Sequence, residues 1–317
     1  NDGELVKDKS GKIIRDNIWG NLDQDTYRRD FTVNALYYCP KTKKIIGHKD
    51  GMRDIHKKII VSIGDPRQRF SEDPVRSLRA IRFSNKLKFK IDTKIKDAIY
   101  EKGHLLSSIS NARIFDEFCK MFLSGMAEKN FNKLNSFGLS KFLITTEPEQ
   151  NEFTRKLITE SLRNTDKRLT NNQSVTPGFL LAALLWPQLI DKCSMKGDIN
   201  LRKFFRSMDP ILRSQQRITA IPRKFHSYIK DIWVLQLKLH SRIGKQPYKT
   251  LKHPRFRAAY DFMLIREKSS GETKSLGKWW TDFQKNDENL KKSLISSLKE
   301  KSQHESFKTF GFSQELR

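Results

Sequence analysis

Cysteine is scarce in this sequence: Cys39, Cys119 and Cys193 are the only three in 317 residues. They are odd in number, far apart and free of metal-site spacing. That argues against a disulfide framework or a zinc site and suits a reducing compartment. Long apolar runs are missing as well. No stretch approaches the ~18 apolar residues of a membrane span, and no secretory h-region is visible. The reading is therefore a cytoplasmic protein with no membrane partner. Internal repeats are absent. The chain opens on Asn1 rather than Met, so the expectation is that it begins inside a longer protein. Acidic residues are in deficit, 36 Asp and Glu against 62 Lys and Arg, for a formal net charge of +26. The excess runs from end to end rather than sitting in one tail. Such a field attracts polyanions, with nucleic acid as the first candidate.

What is present supports a folded protein. Apolar residues make up 37%, and 21 Phe supply bulky core material, enough for two or three domains. Residues 1–20 are polar, with glycines at 3, 11 and 20, and read as a loop. In RRDFTVNALYY, Phe31, Asn34, Ala35 and Tyr38 share a helical face, while the β-branched and aromatic content keeps a strand open. KKIIGH and KKIIVSIG read as strands around a Gly turn in DGMRDI. After Pro66 the pattern is helical over 74–87, 92–102, 112–124 and 127–138. TPGFLLAALLW (176–186) predicts a buried helix, and IKDIWVLQLKL (229–239) and PRFRAAYDFMLIR (254–266) predict two more. Beyond Asn286 the chain is Lys/Ser-rich with few anchors and is expected to fray. The fold class is mainly α with a small α/β N-terminal piece.

The chain is organised around SEDPVRSLRAIRF (71–83). Asp73, Arg76 and Arg79 recur at steps of three and form one polar helical face, while Val75, Leu78 and Ile81 anchor the adjacent side. A carboxylate beside planar donors suits the Watson–Crick edge of a base as well as phosphates. Taken alone, the segment favours a plainer arrangement. Asp73 then caps the helix with Pro74 at its first turn, and Glu72 and Arg76 form a surface i,i+4 pair. Upstream, Arg28 and Arg29 flank Asp30, so two guanidiniums can grip triphosphate oxygens while the carboxylate takes a ribose hydroxyl or helps hold a metal. A solvated charge cluster would look the same in isolation.

In order and spacing, RRDFTVNALYY, DGMRDIHKKII (50–60), SEDPVRSLRAIRF and ARIFDEFCKMF (112–122) resemble the motifs of the class II template-independent nucleotidyltransferases. That superfamily comprises bacterial poly(A) polymerases and tRNA CCA-adding enzymes. The resemblance implies a polymerase-β-like head, a helical neck that reads the base, and a helical body and tail that hold RNA. On this division residues 1–63 are a C-terminal remnant of the head, 64–140 the neck, 141–285 the body and tail, and 286–317 a basic flexible tail. Carried over, Asp30 and Arg29 are catalytic. Arg28, Arg29, Asn34, Asp73, Arg76 and Arg79 bind nucleotide, with Asp73 and Arg76 hydrogen-bonding the incoming base. Arg82, Lys86, Lys88 and Arg113 contact RNA. Arg79 and Arg82 also suit phosphate, or pairing with Glu72 and Glu117. One oxygen of Asp73 cannot serve both a cap and a base.

A carboxylate–guanidinium pair suits cytosine as well as adenine, so the neck motif does not separate the two branches. RNTDKRL (163–169), VTPGFLLAALLWP (175–187), TAIPRKF (219–225), LKHPRFRAAYDFMLIR (251–266) and WWTDFQ (279–284) resemble the body and tail of bacterial poly(A) polymerases. The resemblance thus implies addition of AMP from ATP to single-stranded RNA 3′ ends, with Mg²⁺ as cofactor and RNA-decay or helicase proteins as partners. A CCA-adding enzyme and a non-catalytic RNA-binding module are the alternatives. One departure is large: the family's Gly-rich strand with its two metal-binding aspartates has no counterpart. Asp23-x-Asp25 is the only DxD present and matches the acidic lead-in to RRD instead. No metal ligand is therefore assigned, and the chain is expected not to polymerise. Trp233, Tyr260, Trp279 and Trp280 are open to either base stacking or core packing, and His253–Pro254 reads as a turn.

Overall fold

The computed structural model describes residues 6–7, 13–15, 21–195, 198–270, 274–285 and 287–302. The chain divides into two compact units. Unit 1 runs to Phe122 and includes Lys129–Leu143, and unit 2 is Leu123–Glu128 with Ile144 onward.

In unit 1, the strands β1 (Val6–Lys7) and β2 (Ile13–Arg15) form an antiparallel pair inside the stretch expected as loop. Helix α1 (Leu22–Arg28) follows, then a 3-10 turn over Thr32–Asn34. β3 (Leu36–Cys39) and β4 (Lys44–Gly47) pair as a hairpin. The helical face read across Phe31–Tyr38 is therefore not used. Its aromatic and β-branched residues form the turn and a strand instead. DGMRDI is a helix, α2 (Gly51–His56), rather than a turn. Gly51 is required there because a Cβ would come 2.9 Å from the Thr32 carbonyl oxygen. β5 (Ile59–Ile60) pairs in parallel with β6 (Lys90–Ile91). Between them lie α3 (Pro66–Glu72) and α4 (Val75–Leu87). The α4 stripe behaves as its spacing predicts, for Val75, Leu78, Ala80 and Ile81 are buried. The helix ends where Lys88 turns left-handed at φ 57° and Phe89 donates its N–H to the Ser84 carbonyl at 2.8 Å. α5 (Thr93–Lys102), α6 (Asn111–Phe122) and α7 (Ala127–Ser136), the last belonging to unit 1 from Lys129 on, complete it.

Unit 2 is helical apart from the pair β7 (Ser194–Met195) and β8 (Asp198–Ile199). Its helices are α8 (Glu152–Thr170), α9 (Pro177–Cys193), α10 (Leu201–Gln216), α11 (Arg223–Lys238), α12 (Gln246–Leu251), α13 (Phe256–Ser270), α14 (Lys274–Lys285) and α15 (Glu288–Ser302). Among the described residues no helix is long and apolar enough to cross a membrane. α9 does not stop at Trp186. It continues through Pro187, whose missing N–H weakens a helix interior, because Leu189, Ile190 and Cys193 are buried beyond it. Within Glu288–Ser302 the chain is helical where fraying was expected, and the rest of that expectation, residues 303–317, lies outside the described residues. α15 packs Ile295 into a core of Leu239, Phe256, Met263, Trp280 and Phe283, with Leu294 and Leu298 against it. The four candidate stacking aromatics resolve the same way, as Trp233 and Trp280 are fully buried and Tyr260 and Trp279 nearly so. His253 accepts the Arg255 N–H through Nδ1 at 3.1 Å, holding the expected turn.

Candidate functional site

The two sequence motifs meet because the backbone around Asp30 is tied down on both sides. α1 starts in a reciprocal cap, with Gln24 N–H donating to Asn21 Oδ1 at 2.9 Å and Asn21 N–H to Gln24 Oε1 at 3.0 Å. It ends at Arg28, and the chain then runs extended beside Val61–Ile63. Thr32 donates its N–H to the Val61 carbonyl at 3.0 Å, and Ile63 to the Asp30 carbonyl at 3.1 Å. From α3, Arg69 Nη2 donates to the carbonyls of Tyr27, Arg28 and Arg29 at 3.2, 3.1 and 2.9 Å. These are the orphan acceptors at the end of α1.

Asp30 is buried, 6% exposed, and faces α4. Arg76 Nε donates to its Oδ1 at 2.9 Å, and Arg79 Nη2 lies 2.6 Å from Oδ2. Arg76 Nη1 donates to the Arg69 carbonyl at 3.2 Å and sits 3.7 Å from Glu72. Two of its three guanidinium nitrogens are therefore committed, and what it can offer a base is its remaining edge, Nη2. Arg79 pairs with Asp30 and not with Glu72, whose other partner is Arg69 at 3.2 Å.

Asp73 is not the N-cap expected of it: it ends α3 in an extended conformation, and Pro74 stands at the N-cap of α4. Oδ1 accepts the Val75 N–H at 3.2 Å, and Oδ2 takes Arg113 Nη2 of α6 at 2.6 Å. The oxygen that takes the backbone N–H and the oxygen that faces a guanidinium are different atoms.

The pocket enclosed by these groups has a volume of about 660 Å³. Arg28, Arg29, Asp30 and Asn34 line one side, and Asp73, Arg76, Arg79 and Arg113 the other. Eight of the eleven sequence-predicted site residues thus converge. Arg82, Lys86 and Lys88 do not line it. Arg82 stacks 4.5 Å over the Phe83 ring and stands 3.9 Å from Glu117, with burial pushing its pKa down. Lys86 and Lys88 are exposed at the end of α4.

Three positions at the pocket were not among the site residues read from the sequence. Phe83 and Asp25 line the pocket, and Arg69 holds its backbone. Asp25 accepts from Tyr37 and from Arg29, and from Arg28 at 2.8 Å. The Tyr37 hydroxyl first, then the guanidiniums, pull its carboxyl down to about 2. The signal for Asp25 was its i+3 and i+4 spacing to Arg28, the last residue of α1, and Arg29, its C-cap. Five guanidiniums and three carboxylates face the cavity, a surplus of two positive charges that suits a polyphosphate.

A nucleotidyltransferase family in general implies a divalent metal and a nucleotide substrate. The described residues do not fit such a metal. Among them no three His, Cys, Asp or Glu side chains are placed to hold one ion, and both oxygens of Asp30 are already met by guanidiniums.

Comparison with known proteins gives three regional matches: the Poly A polymerase head domain over residues 4–61, the probable RNA and SrmB-binding site of polymerase A over 88–154, and the polymerase A arginine-rich C-terminus over 197–309. Poly(A) polymerase I of Haemophilus influenzae is 36% identical over 306 residues, covering 93% of this chain and 68% of that protein. The chain spans 65–68% of the length of such relatives. A CCA-adding enzyme of Pediococcus pentosaceus is 42% identical over 122 residues, covering 37% of this chain and 31% of its own length. Among solved structures, a Thermotoga maritima CCA-adding enzyme complexed with tRNA aligns with TM-score 0.56 at 21% identity, over 84% of this chain and 62% of that one. That likeness carries the shared fold, a head followed by helical domains. Three poly(A) polymerase regions in order, and one such relative matched along nearly the whole sequence, place the chain in the poly(A) polymerase family of nucleotidyltransferases.

Proposed function

We propose that this chain supplies the base-reading neck and the RNA-holding body of an enzyme that adds AMP units from ATP to RNA 3′ ends without a template. The observation that carries this reading is the convergence of the RRD and EDPVR motifs on one arginine-rich pocket, in a chain related to poly(A) polymerase I over 93% of its length. Arg28 and Arg29 grip triphosphate oxygens by exchanging Asp25 for phosphate. Asp73 accepts from the adenine exocyclic amine through Oδ2 once Arg113 yields it, and Arg76 donates to the ring nitrogen through Nη2. Asp30 keeps Arg76 and Arg79 in position. Arg82, Lys86 and Lys88 contribute positive charge to RNA. The division into head remnant, neck, body and tail is kept in this reading. The metal ions of the reaction belong to ligands outside the described residues.

Binding of ATP, GTP and CTP to the 317-residue chain, measured by calorimetry, tests the reading. ATP should bind more tightly than CTP. Arg29→Ala should weaken ATP by roughly tenfold or more, the scale of one charged hydrogen bond at ~1.5–3 kcal/mol. Equal affinity for ATP and CTP would favour the CCA-adding alternative, which the shorter match over 37% of the chain keeps in view. ATP binding untouched by Arg29→Ala would remove the pocket from the reading.

A further inference from the structure

Three of the body motifs take no part in the unit 1 pocket, yet unit 2 brings one end of each to the same place. RNTDKRL delivers Arg168 from the last turn of α8. VTPGF delivers Thr176 at the start of α9, and HPRFRAAYD delivers Arg255, Arg257 and Asp261 at the start of α13. Tyr228 of α11 closes the ring around a cavity of about 230 Å³. That is below the ~300–1,000 Å³ of pockets that enclose a small molecule, so it suits part of a polymer lying across it.

Charge and shape agree on the kind of polymer. Asp261 is the single carboxylate, and it is shared. Arg168 Nη1 donates to it at 3.0 Å and Arg257 Nη2 lies 3.1 Å from its second oxygen. Arg255 stands apart, its guanidinium 4.8 Å over the Tyr228 ring. Three guanidiniums against one carboxylate leave an anion site, and Arg257 is 70% exposed, so its remaining donors reach solvent. The Tyr228 platform is held by close packing. A Cβ on Gly178 would fall 2.8 Å from Phe225 and 3.0 Å from Tyr228, so only glycine lets α11 lie this near α9. A ring with a guanidinium stacked on it, beside a phosphate-sized anion site, is how proteins hold single-stranded nucleic acid without reading its sequence.

We infer that this pocket is a second RNA contact. One phosphodiester of a single strand is held by Arg168, Arg255 and Arg257, and the adjoining base stacks on the Arg255–Tyr228 pair. The inference rests on the RNA reading above and adds where in unit 2 the strand is gripped.

The test uses the whole chain and a 5′-fluorescein oligoadenylate roughly 15 nucleotides long, the upper end of single-strand site sizes, with anisotropy read across a salt series. The Arg255→Gln/Arg257→Gln double variant should lose at least about tenfold in affinity. It should also flatten the slope of log affinity against log salt by about 0.7 for each phosphate contact removed. Tyr228→Ala should lose roughly fivefold or more, the lower end of base stacking, whereas Tyr228→Phe should bind as the parent does. A control double variant, Lys245→Gln/Lys249→Gln, removes equal charge from the lysine-lined cleft beside α12. An equal loss from both doubles would mean a diffuse field and overturn the site. So would RNA binding by the parent that the arginine and tyrosine changes leave intact, and in that case the wider RNA reading survives. Absence of binding by the parent would remove both. A polyglutamate peptide that displaces the RNA at equal charge, with Tyr228→Ala silent, would reassign the pocket to acidic protein segments and overturn the proposal.

Discussion

Around Asp30 in unit 1, buried charge is met by opposite charge, whereas three buried side chains in the core of unit 2 donate to backbone carbonyls. Trp233 Nε1 donates to Ala182 at 2.8 Å, Trp280 Nε1 to Leu239 at 2.9 Å, and Gln236 Nε2 to Ala259 at 3.0 Å. Even the buried Arg266 is met by the Gln236 amide oxygen at 3.1 Å and by the Trp186 ring face at 4.6 Å. Backbone carbonyls are fixed by the helices that own them, so the second arrangement has one solution. Side-chain ion pairs such as Asp73–Arg113 or Asp25–Arg28 have alternatives, because a ligand that brings its own charges can replace either partner. The exchangeable network lies where a nucleotide is proposed to bind, and the fixed one lies where a scaffold is needed.

The contrast breaks most sharply when one member of each network is deleted. Asp30→Ala removes the closest carboxylate from buried Arg76, leaving it Glu72 at 3.7 Å, and should cost about 3 kcal/mol, the lower end for breaking a buried pair. Trp280→Ala should cost about 3–5 kcal/mol by opening a cavity. The two losses should appear in different signals. Four of the five tryptophans, Trp186, Trp233, Trp279 and Trp280, belong to unit 2. Asp30→Ala should therefore shift urea unfolding followed by circular dichroism while leaving the main fluorescence transition in place, and Trp280→Ala should shift the fluorescence. Coincident shifts in both signals for both variants would show that the units unfold as one.

The next effect is a pH dependence confined to unit 2. Burial, reinforced by Arg266 and Arg242, pushes the His240 imidazole from its ordinary 6.5 down to about 4. The native state thus holds it neutral while the unfolded chain takes up a proton below pH 6.5. Its contribution is fully present above 6.5 and is lost as pH falls towards 4. At ~1.4 kcal/mol per unit the loss reaches up to about 3 kcal/mol. Denaturant midpoints between pH 7 and 4 should fall for the parent and fall less for His240→Gln.

Smaller still is Arg113→Ala. The arginine is 47% exposed, so the stability change should lie within ~0–1 kcal/mol. Freeing Asp73 Oδ2 should nonetheless change the ratio of ATP to GTP affinity, which calorimetry reads directly. A variant that melts several degrees lower with an unchanged ratio would make the pair structural. The smallest effect is at Lys88, whose left-handed backbone is strained for a side chain. Lys88→Gly should stabilise unit 1 by a few tenths to ~1 kcal/mol, seen as a raised melting temperature.

What could be read in the sequence follows from what periodicity encodes. Arg76 and Arg79 were legible as one face of α4 from their spacing, whereas Asp73, read on the same helical face, ends α3 in an extended conformation before α4 begins. The partner of Arg76 was not legible, because Asp30 is 46 residues away and spacing says nothing across such a gap. The pocket's membership therefore came from motif order, while its internal pairing needed the fold. In unit 2 the apolar run of α9 was plain, but α15 was hidden. Its anchors Leu294, Ile295 and Leu298 sit among lysines and serines, so its composition looked like a tail although its spacing was helical. The four aromatics needed the fold to decide them, since a ring that stacks a base and a ring that fills a core share one helical spacing.

The three hydrogen bonds from Arg69 to Tyr27, Arg28 and Arg29 join positions 40 to 42 residues apart. With Thr32 and Ile63 paired to the strand opposite, they act as rivets across the chain rather than along it. The exposed turn between β3 and β4, residues 40–43, lies within the loop those rivets close. A polypeptide cut there stays riveted at the base of the loop, so the pocket could be built from two separate pieces. The same turn is where an added sequence could be spliced in without disturbing the arginines that face the cavity.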